Sequence, residues 1–130
     1  MAESYKGGFE GLDVWKEARN YRMFINELVK KFPPEEKNKL SDQVVRSSRS
    51  VTANIAEGYG RFHYQENIQS CRIARGSLTE TLDHLICASD LNYINSIEFQ
   101  ELRKQFEFIL KKLNAYIAYL KRRKNEDDKK

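Results

Sequence analysis

Two carboxylates, Glu57 and Glu80, and the His84–Cys87 pair that follows them are the side chains whose types and spacing come nearest to chemistry in this chain. His84 sits four residues after Glu80 and three before Cys87, which puts all three along one side of a single helix, where one metal ion could touch them. Three candidates on one helix do not close a tetrahedral site. A di-iron bundle needs Glu-x-x-His on two helices, and that motif does not occur in the sequence. His63 lies in a connection between helices with no partner to make it a base, and spacing alone assembles no Ser/His/Asp or Cys/His grouping. A metal-dependent enzyme built on Glu57, Glu80 or His84 therefore stands behind the binding readings below. No catalytic residue, metal, cofactor or small-molecule substrate is assigned, and the chain is read as non-enzymatic.

The cations offer more. Net charge is +4, and it is unevenly placed: from Arg103 to the end there are ten basic and four acidic residues, against thirteen and fifteen in the preceding 102. Lys104, Lys111 and Arg122 fall along one side of the last helix, followed by Arg123 and Lys124, while Arg46, Arg49, Arg61, Arg72 and Arg75 enrich the central pair of helices. Such a set can bind phosphates with weak sequence preference and strong salt dependence, or it can be a solvated face. Tyr59 and Phe62, beside the Gly58-Tyr59-Gly60 run, could stack on a base. That run lacks the third glycine of a dinucleotide fingerprint and the Gly-Lys-Ser/Thr ending of a phosphate loop. It is read as a helix cap, since Gly58 and Gly60 tolerate positive φ.

The elements that must position these residues are helices. A chain of 130 residues with 40% hydrophobic content builds one domain with one core. The first helix begins at Asp13 as a cap, carries Ala18, Tyr21, Ile25, Leu28 and Phe32 as its stripe with Trp15 as a core anchor, and ends before Pro33. Pro34, Glu35 and Glu36 suit a helical first turn, and Ser41 is the expected cap of the second helix. That helix turns Leu40, Val44, Ser47 or Ser48, Val51, Ile55 and Gly58 inward, and Arg46, Ser50, Ala53 and Glu57 outward. The third, from 64 to 92, buries Ile68, Cys71, Leu78, Leu82, Leu85 and Ser89, with Gly76 on its reverse side marking a tight backbone approach. The fourth, from 96 to 124, buries Leu102, Phe106, Ile109, Leu113, Tyr116 and Leu120.

Four amphipathic helices with short connections predict an all-α, antiparallel up-and-down bundle over 11–124, with a flexible N-terminus over 1–10 and a charged disordered tail over 125–130. Ile73, Phe108, Ala115 and Tyr119 lie on a second stripe that one such core cannot use, so they are assigned to a homo-oligomer interface. Cys71 and Cys87, sixteen residues apart on one helix, are separated by about 24 Å, beyond disulfide reach, and read as reduced. No apolar run approaches bilayer length and no leader segment is recognised, so no membrane partner and a cytoplasmic location are expected.

The stretches FEGLDVWKEAR (9–19), KKFPPEE (30–36), QVVRSSRSVTANIAEGYGR (43–61) and IARGSLTETL (73–82), in this order, resemble the signatures of the bacterial four-helix-bundle proteins encoded by intervening sequences of 23S rRNA genes. The resemblance spans residues 9 to 120. It implies an up-and-down bundle assembled as a homopentamer, and a distant kinship with the accessory variability protein of diversity-generating retroelements, a basic pentamer that binds reverse transcriptase and nucleic acid. The biochemical activity of the family is not settled. The family's motif residues fall here on Asn54, Ala56, Glu57, Gly58, Gly60 and Arg61, then on Gly76, Ser77 and Glu80; many members carry proline where this chain has Thr52. The expectation is a ring-like homo-oligomer that binds RNA or a ribonucleoprotein through a basic surface. The alternative is a structural adaptor whose basic surface meets a protein.

Overall fold

The computed structural model describes residues 8–129, and among them every regular element is helical. The helices are α1 (Asp13–Leu28), α2 (Leu40–Tyr59), α3 (Tyr64–Asp90) and α4 (Ser96–Asp128), with short 3-10 turns at Phe9–Gly11, Val29–Lys31 and Pro34–Glu36. Each helix packs on its neighbours in sequence, α4 closes against α1, and the α2–α3 contact is the most extensive. Bridging hydrogen bonds give the direction of packing. Ser47 faces Thr81 (2.8 Å) and Ser50 faces Ser77 (2.7 Å), so one index falls as the other rises, as an antiparallel pair requires. The core is the expected stripe from each helix: Ala18, Tyr21, Ile25 and Leu28; Val44, Val51 and Ile55; Ile68, Leu78 and Leu85; Leu102, Ile109 and Leu113.

Local chemistry moves several boundaries. The α-helical part of α1 stops at Leu28 and tightens into a 3-10 turn, because Phe32, preceding a proline, is held extended (φ −71°, ψ 154°). Asp13 is the first helical residue and not the cap, a position filled by Leu12 without a side-chain bond. Ser41 does not cap α2 either. The carboxylate of Glu36 does that work, accepting from the Leu40 amide (3.2 Å) while taking a second bond from the Tyr93 hydroxyl (2.7 Å). Trp15 is half-buried at the rim of the core, edge-on to Phe9 at 5.1 Å. On α3 and α4 the inward positions assigned to Ser89 and Tyr116 belong to Ala88 and Ile117, with Ser89 and Tyr116 half-buried beside them.

The glycines exchange roles. Neither Gly58 nor Gly60 adopts positive φ; Gly58 is helical, and Gly60 closes α2 in a right-handed conformation. A Cβ on Gly58 would stand 2.6 Å from Asn67 Oδ1 and 2.9 Å from Ser70 Cβ, so its missing side chain admits α3. Gly76, expected at a close approach, has nothing within 4 Å of such a Cβ among the described residues. The N-terminal segment expected to be flexible lies outside the described residues up to Gly7, and Phe9–Gly11 form a turn. The expected disordered tail is, through Asp128, a continuation of α4, tied by Arg123–Glu126 and Lys124–Asp128 pairs. α4 itself starts with a full capping box, Asn95 Oδ1 accepting from the Glu98 amide (2.8 Å) and Glu98 returning the bond (2.9 Å).

Candidate nucleic-acid interface

The ten assigned cations do not form one patch on a subunit. α2 and α4 lie across the diagonal of the bundle, so Arg46 and Arg49 occupy one corner and the row from Lys104 to Lys124 the opposite one. α3 joins the α4 row. Arg75 Nη1 donates to Asn114 Oδ1 on α4 (2.8 Å), and Arg123 Nε donates to the Tyr64 hydroxyl at the start of α3 (3.4 Å).

Half of the set is engaged by carboxylates or polar side chains near it. Arg46 pairs with Asp42 (2.9 Å), Arg61 with Glu57 (2.9 Å), Arg123 with Glu126 and Lys124 with Asp128. These contacts are exposed, local on their helices, and worth a few tenths of a kcal/mol each. An incoming phosphate can displace them. Arg49, Arg72, Lys104, Lys111 and Arg122 are exposed and make no ion pair with any described residue.

The motif residues serve packing. Asn54 Nδ2 donates to the Ser50 carbonyl (2.9 Å) and hydroxyl (3.0 Å), and Ser50 in turn meets Ser77 across the α2–α3 seam. Glu57 faces Arg61, and Glu80 faces His84 at 3.2 Å, so the two carboxylates are spent in separate i, i+4 pairs. Among the described residues no group of three His, Cys, Asp or Glu stands close enough to hold a metal ion. Burial pushes the Cys71 thiol up to about 11, which makes it inert as a nucleophile, while Cys87 is exposed on the far side of α3.

The residues assigned to an oligomer interface are exposed on their helices. Ile73 is 57% exposed, Phe108 47% and Tyr119 45%, too open for core residues, and Ala115 is exposed between the two aromatics. Phe62, in the α2–α3 connection, is 90% exposed, with the His63 ring edge-on at 4.9 Å. One cation was invisible to sequence reading. Arg22 on α1 reaches across to α2, where its Nη1 donates to Thr52 Oγ1 at 3.0 Å. Its partner lies thirty residues away in sequence, so no local spacing announces it.

No helix among the described residues is long and apolar enough to cross a membrane. No curated protein matches the chain. A crystal structure of a protein of unknown function from the S23 ribosomal protein family of Bacteroides thetaiotaomicron is similar to it, with a TM-score of 0.75 and 25% identity, covering 81% of this chain and 95% of that one. The profile of the 23S rRNA-intervening sequence protein matches residues 10–115, which is most of the sequence and all of the first three helices. On that match, and on the four-helix architecture that goes with it, the chain belongs to the 23S rRNA-intervening sequence protein family.

Proposed function

We propose that this protein is a non-enzymatic, homo-oligomeric bundle that binds RNA or a ribonucleoprotein through its basic α3–α4 surface. The carrying observation is the row of Lys104, Lys111 and Arg122 on α4, with Arg72 on α3, all exposed and without an acidic partner among the described residues. A cation held open to solvent contributes nothing to the fold and is available to phosphate. Self-association supports the reading, because the exposed Ile73, Phe108 and Tyr119 need cover, and repetition of the row around a closed assembly multiplies its field.

Electrophoretic titration with a structured RNA at low and moderate salt tests this. Binding that weakens steeply as salt rises is the expected result; absence of binding at both salts removes the RNA claim. A protein adaptor is the second reading, favoured by the local neutralisation of Arg46, Arg61, Arg123 and Lys124. Capture of partners after nuclease treatment separates the two, since an adaptor keeps its partner.

A further inference from the structure

A groove of about 620 Å³ lies away from the α3–α4 row, between α1 and α2. Its lining is Arg22, Met23, Phe24, Asn26, Glu27 and Arg49. Two guanidinium groups, one amide and two large apolar side chains thus share one concave surface. Phe24 and Met23 are 38% and 49% exposed, which leaves an aromatic face and a thioether open beside the cations.

Arg22 is fixed in place. Its partner Thr52 is buried, and the Thr52 hydroxyl spends its own proton on the Arg49 carbonyl (3.0 Å), so it can only accept from Arg22. The guanidinium is held half-buried on a neutral oxygen, with no carboxylate partner among the described residues. A guanidinium carries five N–H donors, and the bond to Thr52 occupies one of its nitrogens. Arg49 lines the same groove and is likewise unpaired among the described residues. Glu27, the one acid of the lining, directs both oxygens at Lys30, each at 3.0 Å.

From this the geometry points to a nucleotide site in the α1–α2 groove: Arg22 and Arg49 clamp a phosphate, and Phe24 with Met23 supplies the surface on which the attached base lies. Paired guanidinium groups suit phosphate oxygens, and a base stacks on an aromatic face whatever its sequence. The same chemistry is offered by one nucleotide of a single-stranded RNA and by a free nucleoside monophosphate. The RNA form rests on the function proposed above; the site itself does not.

The test uses the full chain and its Arg22→Gln, Arg49→Gln and Thr52→Val variants, with Lys104→Gln/Lys111→Gln as the comparison. Each is titrated by fluorescence anisotropy with a short single-stranded oligoribonucleotide, and by calorimetry with a nucleoside monophosphate. Circular dichroism reports folding, and the exposed Arg49 keeps the test open if the Arg22 variant unfolds. Loss of a charged hydrogen bond should weaken binding about tenfold for either arginine variant, and loss of the Thr52 hydroxyl roughly threefold. RNA binding that falls in this way supports the site with RNA as its source. Monophosphate binding that falls likewise, without RNA binding, supports the site and defeats the RNA reading. RNA binding that only the Lys104/Lys111 variant weakens upholds the function and overturns this site. Failure to bind either probe overturns both.

Discussion

Tyr21 is 1% exposed, and its hydroxyl has no hydrogen-bond partner among the described residues. Burial raises its pKa far above the ordinary phenol value, so the group stays neutral, but a neutral orphan donor still costs the fold its desolvation. Tyr21→Phe keeps the ring and removes the orphan; denaturant unfolding should show a gain of about 1 kcal/mol. The glycines make opposite predictions. Gly58→Ala drives a methyl into Asn67 and Ser70 and should cost about 1–3 kcal/mol, while Gly76→Ala, in open space, should stabilise the isolated subunit by about 1 kcal/mol in the same assay at low concentration. Sequence reading recognised both glycines as interruptions of helices, and it assigned the close approach to Gly76. The distance between α2 and α3 decides which glycine meets a neighbour, and that distance is set by the whole seam of Ser47, Ser50, Ser77 and Thr81. Arg22 was missed for a related reason: the Thr52 hydroxyl that it bonds is thirty residues away on a neighbouring helix.

The helices themselves were legible because each carries a stripe at helical spacing, and Val44, Val51, Ile55 or Leu102, Ile109, Leu113 point one way in any α-helix. Their ends were less so. Asn95 followed by Glu98 is a capping box that local spacing contains, and Asn95→Ala should lower stability by about 1 kcal/mol in thermal unfolding. The start of α2 has no such signature, since Glu36 caps it from beyond a non-helical turn and also holds Tyr93 near the end of α3. The Tyr93 hydroxyl and the Leu40 amide hold the Glu36 carboxyl below its usual range, and the carboxylate in turn pushes Tyr93 up to about 12. The sign follows from these directions. The depressed acid stabilises the fold above the ordinary carboxylate range and loses that effect as pH falls through its folded value. The raised phenol contributes below its ordinary value of 10.0 and loses that effect as pH rises toward about 12. Glu36→Gln should therefore melt below the parent protein at neutral pH, and the difference should vanish in acid; a gap independent of pH would refute the clamp.

At the scale of the molecule, the bundle order follows from short connections alone, whereas the assembly depends on surfaces that one chain leaves open. The proposed oligomer predicts a solution mass that is a multiple of 15.3 kDa by sedimentation. Phe108→Glu, which places a charge on the exposed face of α4 that also carries Ala115 and Tyr119, should return it to a single subunit without loss of helicity. The sequence made that stripe visible because two apolar faces on one helix exceed what a four-helix core accepts. The bundle order stands α2 and α4 at opposite corners and so divides the cations, which a count of charges along the chain does not register. The exposed Phe62 connection carries one more consequence. Gly60 to His63 is a short, open tether between two hairpins, α1–α2 and α3–α4, which grip each other through the broad α2–α3 seam and through the α1–α4 contact. Chymotrypsin should nick the chain there first and leave a complex that elutes as one species yet separates into halves in denaturant. The protein is thus a natural candidate for splitting into two complementing fragments, with reporter domains joined at the cut ends.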